Sequence, residues 1–242
     1  HHRSLRLGFL GVQMQRQFEE ELDQIKHGIL TMAGLVEKSL EDVAKALTEQ
    51  DSELAERIIA RDDEIDDWEV EIDRLATEFI ARHQPTATDL RFVIVAIKLG
   101  PELERIADNA VNIAQRILHL SKYPLLKPLI DLPRMLALAH SMVSDAIAAY
   151  VDRDADAARE VIARDDEVDN LNWQLFRELL TFMIENPENI SRAIDLILVA
   201  RFIERIGDQA ENICEEVVYL VKARPIRHQR QPKTTSDTEE ST

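Results

Sequence analysis

Cysteine is nearly absent, with one residue, Cys214, in 242. No intrachain disulfide can form, which fits a reducing compartment, and no paired-cysteine zinc spacing exists. Glycine and proline are sparse, at 6 and 8. Long stretches without either favour long helices over a strand-and-turn fold. No apolar run reaches the roughly 18 residues that a bilayer span requires, and no signal peptide is visible. A cytoplasmic protein is therefore expected. Positive charge is outnumbered: 29 Lys and Arg face 46 Asp and Glu, for a net charge of −17. Such a chain repels phosphate backbones and anionic lipid, so nucleic acid and a bare membrane surface are poor partners. Cations and basic protein faces suit it better. Catalytic signatures are missing too. There is no P-loop and no Gly-x-Ser-x-Gly elbow. None of the 7 His follows a Glu by three positions, so the Glu-x-x-His signature of ferritin-like di-iron bundles is absent. No enzyme is expected.

Hydrophobic residues make up 45% of the chain, enough for a sizeable core. Residues 1–13 read as tag-like or disordered, and residues 224–242, polar throughout, as a disordered tail. The strongest signal between them is an internal repeat. Ile59-Ala60-Arg61-Asp62-Asp63-Glu64 recurs unchanged, 103 residues on, as Ile162-Ala163-Arg164-Asp165-Asp166-Glu167. Leu103-Glu104-Arg105-Ile106-Ala107-Asp108-Asn109-Ala110 recurs 100 residues on as Ile203-Glu204-Arg205-Ile206-Gly207-Asp208-Gln209-Ala210. A repeat this long is no solenoid unit and reads as a duplicated domain.

Each copy holds three amphipathic segments. Phe18, Leu22, Ile25, Ile29, Met32, Val36, Leu40, Val43 and Leu47 step by threes and fours, as do Leu54 to Phe79 and Phe92 to Leu120. Each stripe marks one buried helix face. The unbroken period across Gly100-Pro101 predicts a kinked third helix rather than two short ones. Asp51 is placed to cap the second helix and Thr86 or Thr88 the third. In the second copy, helices are expected from about Pro133, from about Asp154 and beyond Pro187. The expectation is all-α: two tandem, pseudo-symmetric, antiparallel three-helix bundles of six long helices, spanning 14–122 and 133–223 with a linker at 123–132. Trp68 and Trp173 fall on or beside core stripes and are expected to fill the core. His27, His119 and His140 read as ordinary helix residues.

The candidate chemistry lies in four carboxylate pairs at i,i+4: Asp62 with Asp66, Glu104 with Asp108, Asp165 with Asp169, and Glu204 with Asp208. This spacing stacks two carboxylates on one helix face, at a cost of a few tenths of a kcal/mol unless a cation offsets it. All four pairs obey the duplication. Folding the chain about Pro85 sets Asp66 level with Glu104 and Asp62 with Asp108. Folding about Pro187 sets Asp169 level with Glu204 and Asp165 with Asp208. Each bundle is thus expected to gather an oxygen-only patch suited to hard cations such as Mg²⁺, Ca²⁺, Mn²⁺ or iron. Asp42 and Asp145 are weaker candidates from the first helix of each copy. Glu69 and Asp73 extend the stripe in the first copy, where the second has Asn172 and Phe176. The blander reading is a set of solvated acidic faces screened by Arg105 and Arg205. Glu104 and Asp108 also share a face with Leu90, Val93 and Ile97, which implies a second packing surface on the third helix.

Further residues carry a family resemblance. Gln17-Phe18 with the acidic run after it, Met32-Ala33-Gly34-Leu35-Val36-Glu37, the turn Arg82-His83-Gln84-Pro85-Thr86-Ala87-Thr88-Asp89-Leu90-Arg91 and the doubled Glu-Arg-Ile-(Ala/Gly)-Asp block resemble the PhoU family of bacterial phosphate-signalling regulators. The likeness runs from about Gln17 to about Arg227. It implies a six-helix, two-bundle fold with acidic metal motifs at Glu104 with Asp108 and Glu204 with Asp208. It also implies iron, zinc or nickel as the metal, beside the manganese and magnesium that oxygen-only patches suit, and frequent homodimers. The implied role is a cytoplasmic adaptor, peripheral to the inner membrane. It would act between the phosphate transporter ATPase and a sensor histidine kinase, repressing phosphate-starvation genes at high phosphate. A carboxylate-based metal store and a metal-dependent enzyme are the alternatives.

Overall fold

The structure is a computed structural model that describes residues 2–224, with side chains from Gln13 onward. Seven α-helices follow one another: α1 His2–Glu49, α2 Ser52–His83, α3 Ala87–Leu120, α4 Asp131–Asp152, α5 Ala155–Ile162, α6 Asp165–Glu185 and α7 Ile190–Lys222, with a short 3-10 turn at Pro187–Asn189. No strand occurs among the described residues. α1, α2 and α3 form the first antiparallel bundle; α4, the α5–α6 pair and α7 form the second.

The apolar stripes are the buried faces. Ile25, Ile29, Met32, Val36, Leu40 and Val43 of α1 are fully buried, as are Leu99, Leu103, Ile106, Ala110 and Ile113 of α3. In α7, Val199, Ile203, Ile206, Ala210, Ile213 and Val217 match them. Full burial of one such Leu, Ile or Val favours the folded state by about 1.5–3 kcal/mol. The buried side chains of the two bundles join in a single core. α3 and α7 pack along each other and carry the junction. Polar contacts fasten it: Lys98 donates to Glu216 at 2.8 Å and Arg116 to Asp195 at 3.2 Å, with His119 also on Asp195.

Local chemistry sets the ends. Asp51 accepts from the Leu54 N–H at 2.9 Å to start α2, and Asp154 accepts from Asp156 and Ala157 to start α5. Thr86 stands at the start of α3, but its side chain makes no capping bond. Pro101 lies inside α3 without ending it. Gln84, in the left-handed region at φ 45°, stops α2 ahead of Pro85. Beside that turn, Phe18 packs at 5.0 Å on Phe79 and 5.3 Å on His83, and Glu21 accepts from Arg82 at 2.5 Å. These residues of the Gln17-Phe18 and Arg82-His83 segments thus clamp the start of the first bundle.

Four expectations need correction. α1 extends back to His2, so residues 2–13 continue the first helix instead of standing apart from it as a disordered stretch. The second-copy counterpart of α2 is two helices, α5 and α6, divided at Ala163-Arg164 by tightened turns: Arg164 N–H donates to the Val161 carbonyl at 2.9 Å and Glu167 N–H to Arg164 at 3.0 Å. The link between copies is displaced by two residues and not shortened, since α3 ends at Leu120 and α4 starts at Asp131 with Pro133 in its first turn, where a missing N–H is tolerated. Trp68 packs against the core as expected, but Trp173 is 63% exposed. The tail beyond residue 224 lies outside the described residues.

Candidate metal centres

α2 and α3 run antiparallel through the Pro85 turn, and the acidic faces of the two helices meet. Asp62 feels the charges of both Asp66 and Asp108. Glu104 feels Asp108, Glu69 and Asp66. The level-matched carboxylates of the first copy therefore share one patch. Burial, followed by those like charges, pushes the Asp62 carboxyl up to about 6 and the Glu104 carboxyl up to about 7. When protonated, Glu104 also hydrogen-bonds to Asp108. Asp66 and Glu69 are raised for the same reasons, with Arg105 easing Glu69. Asp73 lies at the exposed end of the stripe, where its charge still reaches Glu69.

The second patch is built from α6 and α7. Asp165, Asp208 and Glu211 each offer a carboxylate oxygen, and these oxygens lie within 4.8 Å of one another. Glu204 is raised by burial and by Asp208, with Arg201 easing it and Asp169 adding to it. Arg201 pairs with Glu204 at 3.3 Å. Asp165 is 5% exposed. Its approach to α7 depends on Gly207: a Cβ there would stand 3.3 Å from the Asp165 Oδ1. The first copy has Ala107 at that position.

The donors fit a cation. Every group is a carboxylate, the ligand type of hard divalent and trivalent ions. In the first patch the Asp62 Oδ1 is buried without a hydrogen-bond partner among the described residues. A buried acceptor left so is costly unless something satisfies it. The screening expected of Arg105 and Arg205 is partial. Arg105 donates to Glu102 at 3.0 Å, and Arg205 lies over the Phe202 ring.

Asp42 and Asp145 are not part of either patch. Arg61 donates to Asp42 at 2.9 Å and Arg164 to Asp145 at 2.6 Å, the same pair in each copy. Burial opposes the Asp42 charge, yet Arg61 and Lys38 hold its carboxyl below the ordinary value. Their role is to tie the first two helices of each bundle together. Conversely, Glu211 joins the second patch although it lies outside the four duplicated pairs. Its signal was there: Glu204, Asp208 and Glu211 stand at i, i+4 and i+7 on one helix face, and Val111 replaces the last in the first copy.

Comparison with known proteins agrees with the architecture. The family described as "PhoU domain" matches residues 29–117 and again residues 132–217, one match in each bundle. The chain is 41% identical over 210 residues to the phosphate-specific transport system accessory protein PhoU homolog of Aquifex aeolicus, covering 87% of this chain and 95% of that protein. It is 38% identical over 212 residues to the phosphate-specific transport system accessory protein PhoU of Escherichia coli K12, covering 88% of each. Among solved structures, the crystal structure of PhoU from Pseudomonas aeruginosa superposes with a TM-score of 0.83 at 38% identity, covering 86% of this chain and all of that one. The phosphate transport system regulatory protein PhoU from Streptococcus pneumoniae gives 0.81 at 29% identity, over 86% of this chain and 99% of that one.

Proposed function

The chain belongs to the PhoU family, and from that premise we propose that it regulates phosphate uptake as a metal-binding adaptor. Members of this family are accessory and regulatory proteins of phosphate transport, not enzymes. The finer reading has the chain dock on the ATPase subunit of the phosphate transporter and on a phosphate sensor histidine kinase. At high phosphate it would hold the starvation genes repressed. It would work in the cytoplasm, as a homodimer, and meet the membrane through those partners. No helix among the described residues is long and apolar enough to cross a membrane.

The observation that carries the reading is the pair of carboxylate patches, one in each bundle and each drawn from two antiparallel helices. Asp62, Asp66, Glu104 and Asp108 would hold a cation in the first, and Asp165, Asp208 and Glu211, with Glu204 and Asp169 beside them, in the second. A bound cation would neutralise the crowded carboxylates and leave coordination positions open to a donor on a partner. Around it, Arg61 with Asp42 and Arg164 with Asp145 keep the helices in register, so that the ligands keep their spacing.

The test has two arms. Tagged protein recovered from cells grown at high phosphate should bring down the transporter ATPase and the sensor kinase. A Glu204→Gln/Asp208→Asn variant should keep its helicity yet derepress a phosphatase reporter at high phosphate. Metal binding without recovery of either partner would point to storage and sink the adaptor reading. Normal repression by the double variant would remove the second patch from signalling.

A further inference from the structure

The groove between α6 and α7 changes character along its length. Near the Asp165 end its rim is acidic, with Asp169 and Glu204. Toward Pro187 it becomes apolar. Trp173, Phe176, Ile197 and Leu198 line a cavity of about 310 Å³ with Asn172 and Arg201 beside them. Trp173 meets Phe176 edge-on at 5.9 Å, a mutual support that leaves the indole 63% exposed. One stripe extends the cavity along α6 through Leu180, 37% exposed, and Ile184, 83% exposed; Ile194, 45% exposed, faces solvent on α7. A contiguous apolar surface of this kind marks an interaction site, whereas scattered single residues do not. The first copy has no counterpart. Val70, Asp73, Thr77 and Ala81 occupy the positions of Trp173, Phe176, Leu180 and Ile184.

We propose that this groove docks an amphipathic helix of a partner protein, with its apolar side chains over Trp173 and Phe176 and a Lys or Arg reaching Asp169 and Glu204. The surface narrows the occupant by physics. From the groove, the exposed apolar stripe of α6 between Trp173 and Ile184 runs about 16 Å, at about 1.5 Å per residue, enough for three turns of a docked helix. A β-strand would need a sheet edge, and no strand exists among the described residues. Nucleic acid and anionic lipid are repelled by the net charge of −17. A second copy would bring an equally acidic chain against Asp169 and Glu204, whose charge Arg201 and Arg205 offset only in part at Glu204. A basic helix satisfies both halves of the groove. The apolar anchors supply affinity, and the charges supply rate and orientation. This goes beyond the adaptor reading: the apolar half of the groove can seat such a helix whether or not the patches hold metal.

A synthetic peptide of Leu and Lys, amphipathic as a helix, free of aromatics and about 18 residues long, is the probe. Binding to the full chain, followed by calorimetry and tryptophan fluorescence, should shift the Trp173 emission to the blue. Trp68, packed against the core, serves as the silent background. Phe176→Asp, which copies the first bundle, should weaken binding at least about tenfold, the loss expected of a central anchor. Ile184→Lys, at a side chain too exposed to affect folding, should weaken it several-fold. The same peptide with Glu for Lys should bind at least about tenfold more weakly, as like charges meet at the rim. Equal binding to wild type and to both variants would show that the peptide merely coats an acidic surface, and would overturn the proposal. So would equal binding of the Glu peptide. A dimer in light scattering that dissociates on Phe176→Asp would also overturn it, because a second copy would then be the occupant.

Discussion

The two bundles derive from one repeated unit, and they have diverged at the same place. In the first, α2 is continuous, Asp62 is half-buried, and the acidic face spreads from Asp62 to Asp73. The result is a broad patch in which Asp62 and Glu104 are pushed to about 6 and about 7. In the second, the corresponding helix is broken, Asp165 is drawn in against Gly207, and three carboxylates converge within 4.8 Å. Where the first copy extends its acid with Glu69 and Asp73, the second has Asn172 and Phe176 and opens an apolar groove. One copy keeps a wide carboxylate patch crowded with like charge. The other pairs a compact carboxylate patch with an apolar groove. Duplication preserved the heights of the carboxylates and freed the rest of each face to specialise.

The largest effect that would break this comparison is loss of one patch alone. Glu104→Gln with Asp108→Asn should abolish metal binding in the first bundle and spare the second, so that bound metal, measured by titration with Mn²⁺, iron or Zn²⁺, falls by about half. Affinity at both patches should weaken as pH falls and the carboxylates protonate. Unchanged stoichiometry in the double variant would place the first site elsewhere.

A smaller effect would sharpen it. Val111→Glu gives the first copy the third carboxylate that Glu211 supplies to the second. Metal affinity of the first patch should rise severalfold, since hard cations gain from added oxygen ligands. A fall, or no change, would mean that the third carboxylate needs the inward position that Gly207 gives Asp165.

Next comes the pH dependence of the metal-free protein. Asp62 and Glu104 have folded values above their ordinary ones, so the folded chain holds protons more tightly than the unfolded chain. Their contribution is fully present below the unfolded values near 3.8 and 4.5. It is lost as pH rises through about 6 and about 7. The melting temperature of metal-free protein should therefore fall between about pH 5 and pH 7.5. Asp62→Asn with Glu104→Gln should flatten the fall and raise the melting point at pH 7.5, by about 2–4 °C for each kcal/mol of repulsion relieved. A melting point that drops at pH 7.5 would show the carboxylates to be structural.

The smallest effect is at Gly207→Ala. Alanine gains helix propensity of about 1 kcal/mol over glycine, while its methyl stands 3.3 Å from the Asp165 Oδ1. The opposing effects should leave the melting point within about 4 °C of wild type. Metal affinity at the second patch should fall as Asp165 is pushed outward. Unaltered affinity would show that the missing methyl is not what admits the carboxylate.

By itself the sequence determined the fold class, the buried face of each helix, the duplication and the pairing of carboxylates by height. Those follow from period and spacing, which a helix converts directly into faces and levels. It also carried the arginine partners of Asp42 and Asp145 in the repeated hexapeptide, but spacing along a chain says nothing of which helix an arginine crosses to. The hexapeptide Ile-Ala-Arg-Asp-Asp-Glu shows the limit most plainly. The same six residues are continuous helix at 59–64 and cross a helix break at 162–167. Their propensities are equal, so the difference lies in their surroundings: just past the break, Asp165 packs against Gly207, where the first copy has Ala107. Trp173 is the other case. Its place beside an apolar stripe predicts burial, but its ring lies 63% exposed on the lining of a groove between α6 and α7. Burial belongs to the partner surface as much as to the residue, and only tertiary structure decides which surfaces meet.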